Sequence, residues 1–245
     1  AGGSITAGTA VTNSQGVATT SFTADQNTGA GVEQRNLVVK ASLANNNAVS
    51  DSTDISVGGR TLFFRFGTGN VVESPSASLY RKEFSVVVTD ASGNPVINQQ
   101  LNIAAVSLRY RKGFWVKSPP PPESFKIWEP QVTANCVTED VNFNGILDAG
   151  EDFNNDGQLT PGNLATVPRT VTSNSEGIAV FQVTYPRDVA PWLDVRLQVS
   201  GFASGTENIS FREYQLSVAA ADISQENVAP PSNPFGVAAN CANPG

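Results

Sequence analysis

The sequence contains no histidine, no methionine and only two cysteines in 245 residues. Without histidine there is no Ser-His-Asp or Cys-His nucleophile pair, no imidazole general base and no His-ligated zinc. Two cysteines, Cys136 and Cys241, cannot build a zinc site or an iron–sulfur cluster, and their spacing is not that of a CxxC redox pair. Charge is sparse: 15 Lys and Arg stand against 22 Asp and Glu, for a net −7. That acidic balance disfavours nucleic acid, whose binding rests on neutralising phosphates. No apolar run approaches the ~20 residues that span a bilayer, and neither end carries a signal-peptide core or a lipidation motif. The missing initiator methionine predicts a mature or excised part of something longer. What remains is rich in Gly, Pro, Asn and Thr. Its 40% hydrophobic residues are enough for a packed core, and its length suggests two domains.

Strand patterning runs almost throughout, with no long helical periodicity. Val17–Ala24, Asn36–Leu43, Ser50–Val57, Glu83–Thr89, Leu101–Tyr110, Ile178–Tyr185, Leu193–Ser200 and Asn208–Val218 are rich in Val, Thr, Phe and Ile. Turn signals such as Ser14-Gln15-Gly16, Ser92-Gly93-Asn94-Pro95 and Ser175-Glu176-Gly177 separate them. Short, regularly punctuated strands predict an all-β sandwich. An internal repeat refines this. Asn13–Thr23 reads NSQGVATTSFT and Asn174–Thr184 reads NSEGIAVFQVT, an offset of 161 residues. These predict the same turn and strand in two copies of one module. In the second copy the strands before the hairpin include the turn Asp90–Val96, DASGNPV; in the first, their equivalents would fall before residue 1. The first module is therefore expected to be incomplete, with its missing strands supplied by upstream chain, another polypeptide or a polymer neighbour.

The combination of TDASGNPV with the TNSQGVA and SNSEGIA hairpins resembles bacterial immunoglobulin-like repeats of the invasin/intimin type. The tail PFGVAANC, with a long insertion before it, is similar to the C-terminal Ig-like module of exported proteobacterial surface lipoproteins. The resemblance implies tandem Ig-like β-sandwiches: an incomplete one over 1–58, and a second over 59–220 with an insertion at about 111–166. A C-terminal tail follows over 221–245. It implies a stalk or adhesive role outside the cell rather than an enzyme, with upstream Ig-like modules or identical subunits as partners and a cell-surface or polysaccharide ligand. Low charge, many Asn, Thr and Ser, and the absence of His and Met also fit an exported chain, in which Cys136 and Cys241 pair. Closing so long a loop contributes roughly 4 to 5 kcal/mol in the chain-entropy model.

The insertion holds the one motif with ion chemistry. DVNFNGILDAGE places Asp140, Asn142, Asn144, Gly145, Ile146, Asp148 and Glu151 at positions 1, 3, 5, 6, 7, 9 and 12 of an EF-hand calcium loop. Alternate side-chain oxygens converge on one point, Ile146 offers its carbonyl, and Glu151 closes the shell with two oxygens. A second loop follows at Asp152, Asn154, Asp156, Gly157 and Gln158, with Thr160 at position 9. Its position 12 is Asn163, which supplies no bidentate carboxylate, so its affinity is expected to be lower unless a carboxylate from elsewhere joins. Glu139–Asp156 holds six of the 22 acids, leaving the rest of the chain at −1, and no Lys or Arg occurs between Ile127 and Pro168. Such a cluster predicts one calcium ion, with room for a second. No helices flank it, so the loops resemble dockerin-like loops set in a sandwich.

Other signals are weaker. Arg109–Lys117 interleaves bases and aromatics as an anion platform would, yet alternation explains it as a strand with Val106, Leu108 and Tyr110 inward and Ser107, Arg109 and Arg111 outward. Pro119–Pro122 predicts a polyproline II stretch. Trp115, Trp128 and Trp192 could form a sugar surface, though tryptophans more commonly serve a core. The Asn208-Ile209-Ser210 triplet is too common to carry weight. Two alternatives to a structural role stand: a filament subunit assembled by strand complementation, and a carbohydrate-binding module.

Overall fold

A computed structural model describes residues 4–23, 37–55, 61–203 and 206–244. Among the described residues the chain is all-β apart from α1, the four residues Ala220–Ile223. No helix among the described residues is long and apolar enough to cross a membrane. Two compact units are present: Ala1–Phe63 with the short segments Thr89–Asn94 and Gly201–Asn208, and the remainder.

In the first unit β1 (Ser4–Ile5) pairs antiparallel with β2 (Phe22–Thr23), and β3 (Leu37–Leu43) with β4 (Asn46–Ile55). The strand expected at Val17–Ala24 is a ladder only at Phe22–Thr23; Val17–Ser21 has none, and Ala24 lies outside the described residues. None of residues 4–23 or 37–55 is buried.

The second unit is a sandwich. One sheet has the order β10 (Ile178–Pro186), β6 (Leu79–Thr89), β5 (Phe63–Thr68). The other runs β12 (Thr206–Gln215), β11 (Leu193–Ala203), β7 (Gln100–Ser118), β8 (Ile127–Val137), with β9 (Thr170–Thr172) also on β7. Strict alternation drives the packing. Tyr80, Phe84, Val86 and Val88 of β6 and Ala179, Phe181, Val183 and Tyr185 of β10 are buried on one side of their sheet. They meet Leu101, Ile103, Leu193, Val195, Leu197 and Val199 from the other sheet. Phe84 ties the layers together, stacking on Phe181 at 5.8 Å and meeting Tyr214 edge-on at 5.0 Å.

Two local expectations are corrected. Val106 and Leu108 are not the inward residues of β7: the register with β11 skips from Asp194↔Arg109 to Val195↔Ser107. This bulge at Leu108 changes the phase of the strand. Ser107 is buried in phase with Leu101 and Ile103, and beyond the bulge Tyr110 and Lys112 are. Arg111 donates twice to Asp194, at 2.7 and 2.8 Å. Arg109 pairs with Asp194 at 3.0 Å and also with Glu213, so these bases already hold carboxylates. Nor is Pro119–Pro122 polyproline II. It makes a turn, with Glu123 N–H on the Pro120 carbonyl and cis bonds at Ser118–Pro119 and Pro121–Pro122, capping the β7–β8 hairpin.

Cys136 and Cys241 form the disulfide, with Cα atoms 5.6 Å apart across a sequence separation of 105. The tail it anchors lies along β7 and β8. Trp128 Nε1 donates to Gln225 O and Trp115 Nε1 to Pro231 O, both at 2.9 Å. Asn233 Nδ2 donates to Arg111 O, Gly113 N to Gly236 O, and Thr133 Oγ1 to Ala238 O. Phe235 meets the Tyr110 ring at 5.0 Å. Replacing Cys241→Ser is expected to lower unfolding stability by about 2 to 4 kcal/mol in denaturant titration. A loss below about 0.5 kcal/mol would mean that the hydrogen bonds alone hold the tail.

Candidate metal centre

Residues 138–163 lie in the connection from β8 to β9, and their buried members are Thr138, Glu139, Asp140, Glu151, Asn154 and Pro161, polar groups with one exception. The segment thus has almost no apolar core of its own. Its shape comes from carboxylates and amides closing on backbone N–H groups.

The first loop forms as the spacing requires. Asp140 Oδ1 and Oδ2 accept the N–H groups of Asn144 and Gly145 at 2.9 Å. Asn142 Oδ1 accepts Asn144 N–H at 3.0 Å, and Asn144 Oδ1 accepts Ile146 N–H at 2.7 Å. Both amide nitrogens donate to Asp148 Oδ2 at 2.8 Å. Glu151 reaches back across the loop: Oε1 accepts Val141 N–H at 3.0 Å and Oε2 accepts Asp148 N–H at 2.9 Å. Asp140, Asn142, Asn144, Asp148 and Glu151 are therefore drawn together, while the Ile146 side chain is exposed.

The second loop repeats this pattern. Asp152 Oδ1 and Oδ2 accept Asp156 and Gly157 N–H at 3.0 Å. Asn154 Oδ1 also accepts Asp156 N–H, and Asp156 Oδ1 accepts Gln158 N–H at 2.8 Å. The backbone repeats too: positions 4 and 6 have positive φ in both loops, 59° and 76° at Phe143 and Gly145, 59° and 77° at Asn155 and Gly157.

Asn163 does not close this loop. It turns to β7, where its Oδ1 accepts Ser107 N–H at 3.3 Å. Glu139 closes it instead. Glu139 Oε1 accepts Phe153 and Asn154 N–H, each at 3.1 Å, and Oε2 accepts Thr160 N–H at 2.8 Å. These are positions 2, 3 and 9 of the second loop; Glu151 serves positions 2 and 9 of the first. The first loop is thus closed by its own last residue, and the second by the residue that precedes the first. Carboxylate oxygens of Glu139, Asp152 and Asp156 lie within 4.8 Å of one another. Sequence reasoning missed Glu139, although a signal was present: E-D-V-N-F-N-G and E-D-F-N-N-D-G each begin with a glutamate, twelve residues apart.

The surroundings are acidic, and burial rises from Asp156, which is exposed, through Asp152 to Glu139. Glu139 is 1% exposed. Burial, then the charges of Glu139 and Asp156, push the Tyr110 phenol up to about 12. The neighbouring base, Lys112, is also 1% exposed; burial lowers its pKa while Asp156 opposes the shift, and its amine donates to the Asn243 carbonyl. On the outer side Arg196 lies between the rings of Phe143 and Phe211, at 5.3 and 5.5 Å, docking the first loop on β12.

No family model matches the chain, and no curated protein matches it. Among solved structures it has a likeness to MtrC from Shewanella baltica OS185, at 14% identity and a TM-score of 0.26, over 65% of this chain. The chain spans 23% of that protein's length. A likeness this slight transfers neither fold nor function.

Proposed function

We propose that this chain is an extracellular structural module of a bacterial surface protein, Ig-like in type, whose insertion is held folded by calcium. The observation that carries the reading is the closure of each loop by a glutamate, Glu151 on the first and Glu139 on the second. Calcium takes six to eight oxygens in a flexible shell and favours a bidentate glutamate. The first loop offers Asp140, Asn142, Asn144, Asp148, Glu151 and the Ile146 carbonyl; the second offers Asp152, Asn154, Asp156, the Gln158 carbonyl and Glu139. The loops lie between strands, with no flanking helix pair to open, so the ion's role is to fold rather than to signal. The disulfide and the resemblance to invasin-type repeats support an exported chain with a stalk or adhesive role.

Calorimetric titration of chelator-treated protein is expected to show two calcium ions per chain. At a hundredfold excess over Kd, each adds about 2.7 kcal/mol of stability. Glu151→Gln should lose the first ion and Glu139→Gln the second. No heat above background, with unchanged thermal stability, rejects calcium.

A carbohydrate-binding reading keeps one supporting observation. Trp115, Trp128 and Tyr214, with Glu129, Gln215 and Ser217, line a cleft of about 450 Å³. Both indole N–H groups are tied to tail carbonyls, leaving the rings fixed. On this reading a glycan array gives hits that Trp128→Ala abolishes while thermal stability is kept. An array without hits removes it.

A further inference from the structure

The sequence repeat is reproduced bond for bond. Asn13 Oδ1 accepts Gln15 and Val17 N–H at 2.9 and 3.0 Å, Asn13 N donates to Val17 O at 2.9 Å, and Gly16 N to Asn13 O at 3.0 Å. Asn174 makes the same four bonds with Glu176, Ile178 and Gly177, at 2.9, 2.9, 2.9 and 3.0 Å. The glycines have φ of +77° and +73°.

The segment after each turn has an earlier stretch of chain as its neighbour on one edge. Thr184 exchanges both backbone bonds with Thr166, at 2.8 and 2.9 Å. Its equivalent in the repeat, Thr23, pairs with Ser4, and Ser21 O accepts Thr6 N–H at 2.9 Å. The other edge differs. β10 is paired along its whole length with β6, from Ile178↔Val87 to Pro186↔Leu79. Along Val17–Thr23 no described strand takes that edge. Continued back from the Phe22–Thr23 ladder and the Ser21–Thr6 bond, antiparallel alternation would turn the N–H and C=O groups of Ala18, Thr20 and Phe22 toward it. The turn glycines agree: a Cβ at Gly177 would meet Val88 O at 2.8 Å and Pro95 Cβ at 2.9 Å, whereas Gly16 has nothing within 4 Å.

We infer that the Val17–Thr23 edge is a docking site for one further antiparallel strand of β6 chemistry, supplied by a partner polypeptide. The occupant is an extended segment with alternating apolar residues that runs into a D-x-x-G-x-P turn, whose proline would rest on Gly16 as Pro95 rests on Gly177. A second copy of the chain has no such strand to give, because its own β6 is paired on both edges, by β10 and β5. The edge itself, VATTSFT, carries no charge to deter a strand. The inference rests on the modular reading proposed above and is independent of calcium.

Amide exchange by NMR on the whole 245-residue chain tests it, with a synthetic peptide of residues 79–96 as the probe. The amides of Ala18, Thr20 and Phe22 are expected to exchange fast in the chain alone and at least about tenfold more slowly at saturating peptide. Ala18→Pro removes an edge donor and should abolish that slowing, while the Thr6 amide keeps its protection on Ser21. Unchanged exchange at saturating peptide overturns the docking site. Slowing that instead rises with protein concentration, without peptide, overturns it in favour of a second copy. Slow exchange in the monomeric chain alone means that the edge is already covered, and sinks the modular reading as well.

Discussion

The ladder on both edges of β7 is the constraint from which the second unit follows. At 19 residues this strand extends about 60 Å. β11 covers one edge from Asn102 to Tyr110. On the opposite edge β9 takes Gln100–Asn102 and β8 takes Arg109–Ser118, leaving a gap between them. Backbone groups in such a gap need partners, and both ends of the acidic segment provide them. Thr138 N–H donates to Leu108 O, while Gly162 O and Asn163 Oδ1 accept from Ser107. The insertion thus leaves and re-enters the sheet at one notch. The bulge at Leu108 sits in the same notch, turning Ser107 toward the incoming loop and Tyr110 under it.

Charge then governs what the notch can hold. Two like charges 4.8 Å apart repel by about 3 to 4 kcal/mol at an effective dielectric of 20. Glu139, Asp152 and Asp156 make more than one such pair, and burial, then the charges of Glu139 and Asp156, already raise the Tyr110 phenol. Backbone N–H groups relieve part of the cost, because a carboxylate that accepts two or three of them keeps its ionised form at modest expense. They do not remove the charge. Lys112 supplies only partial compensation, since its amine is desolvated and spent on the tail carbonyl of Asn243. A divalent cation would turn the mutual repulsion into attraction, so that binding free energy becomes folding free energy for a segment without an apolar core.

The parts of this arrangement that depend on local spacing were legible in the sequence. Oxygen-bearing residues at every second position, with glycine at the sixth, dictate a loop closed on its own N–H groups, and both loops have that form. The Asn13 and Asn174 turns were legible for the same reason: an amide oxygen reaching two and four residues ahead needs no tertiary context. The bulge at Leu108 was not, because a strand's phase is decided by its partner's register rather than by its own alternation. The path of the tail was hidden as well, since it is held by carbonyl oxygens, which every residue possesses. Glu139 lies between these cases. Its position before Asp140 repeats that of Glu151 before Asp152, but only the folding of one loop over the other gives that repetition a meaning.

The two units differ most in what they bury. β6 and β10 place eight side chains in a shared core, whereas residues 4–23 and 37–55 bury none. In β3 and β4, Val38 is 66% exposed and Val49 and Leu43 are 53% exposed. Burying such side chains contributes about 1.5 to 3 kcal/mol each, and a two-stranded hairpin without that contribution is marginal in water. A strand along Val17–Thr23 would add ladder bonds to a segment that has them on one side only. The repeated turn has the geometry such a strand requires: Gly16 holds the same backbone as Gly177, with nothing within 4 Å of where a Cβ would stand.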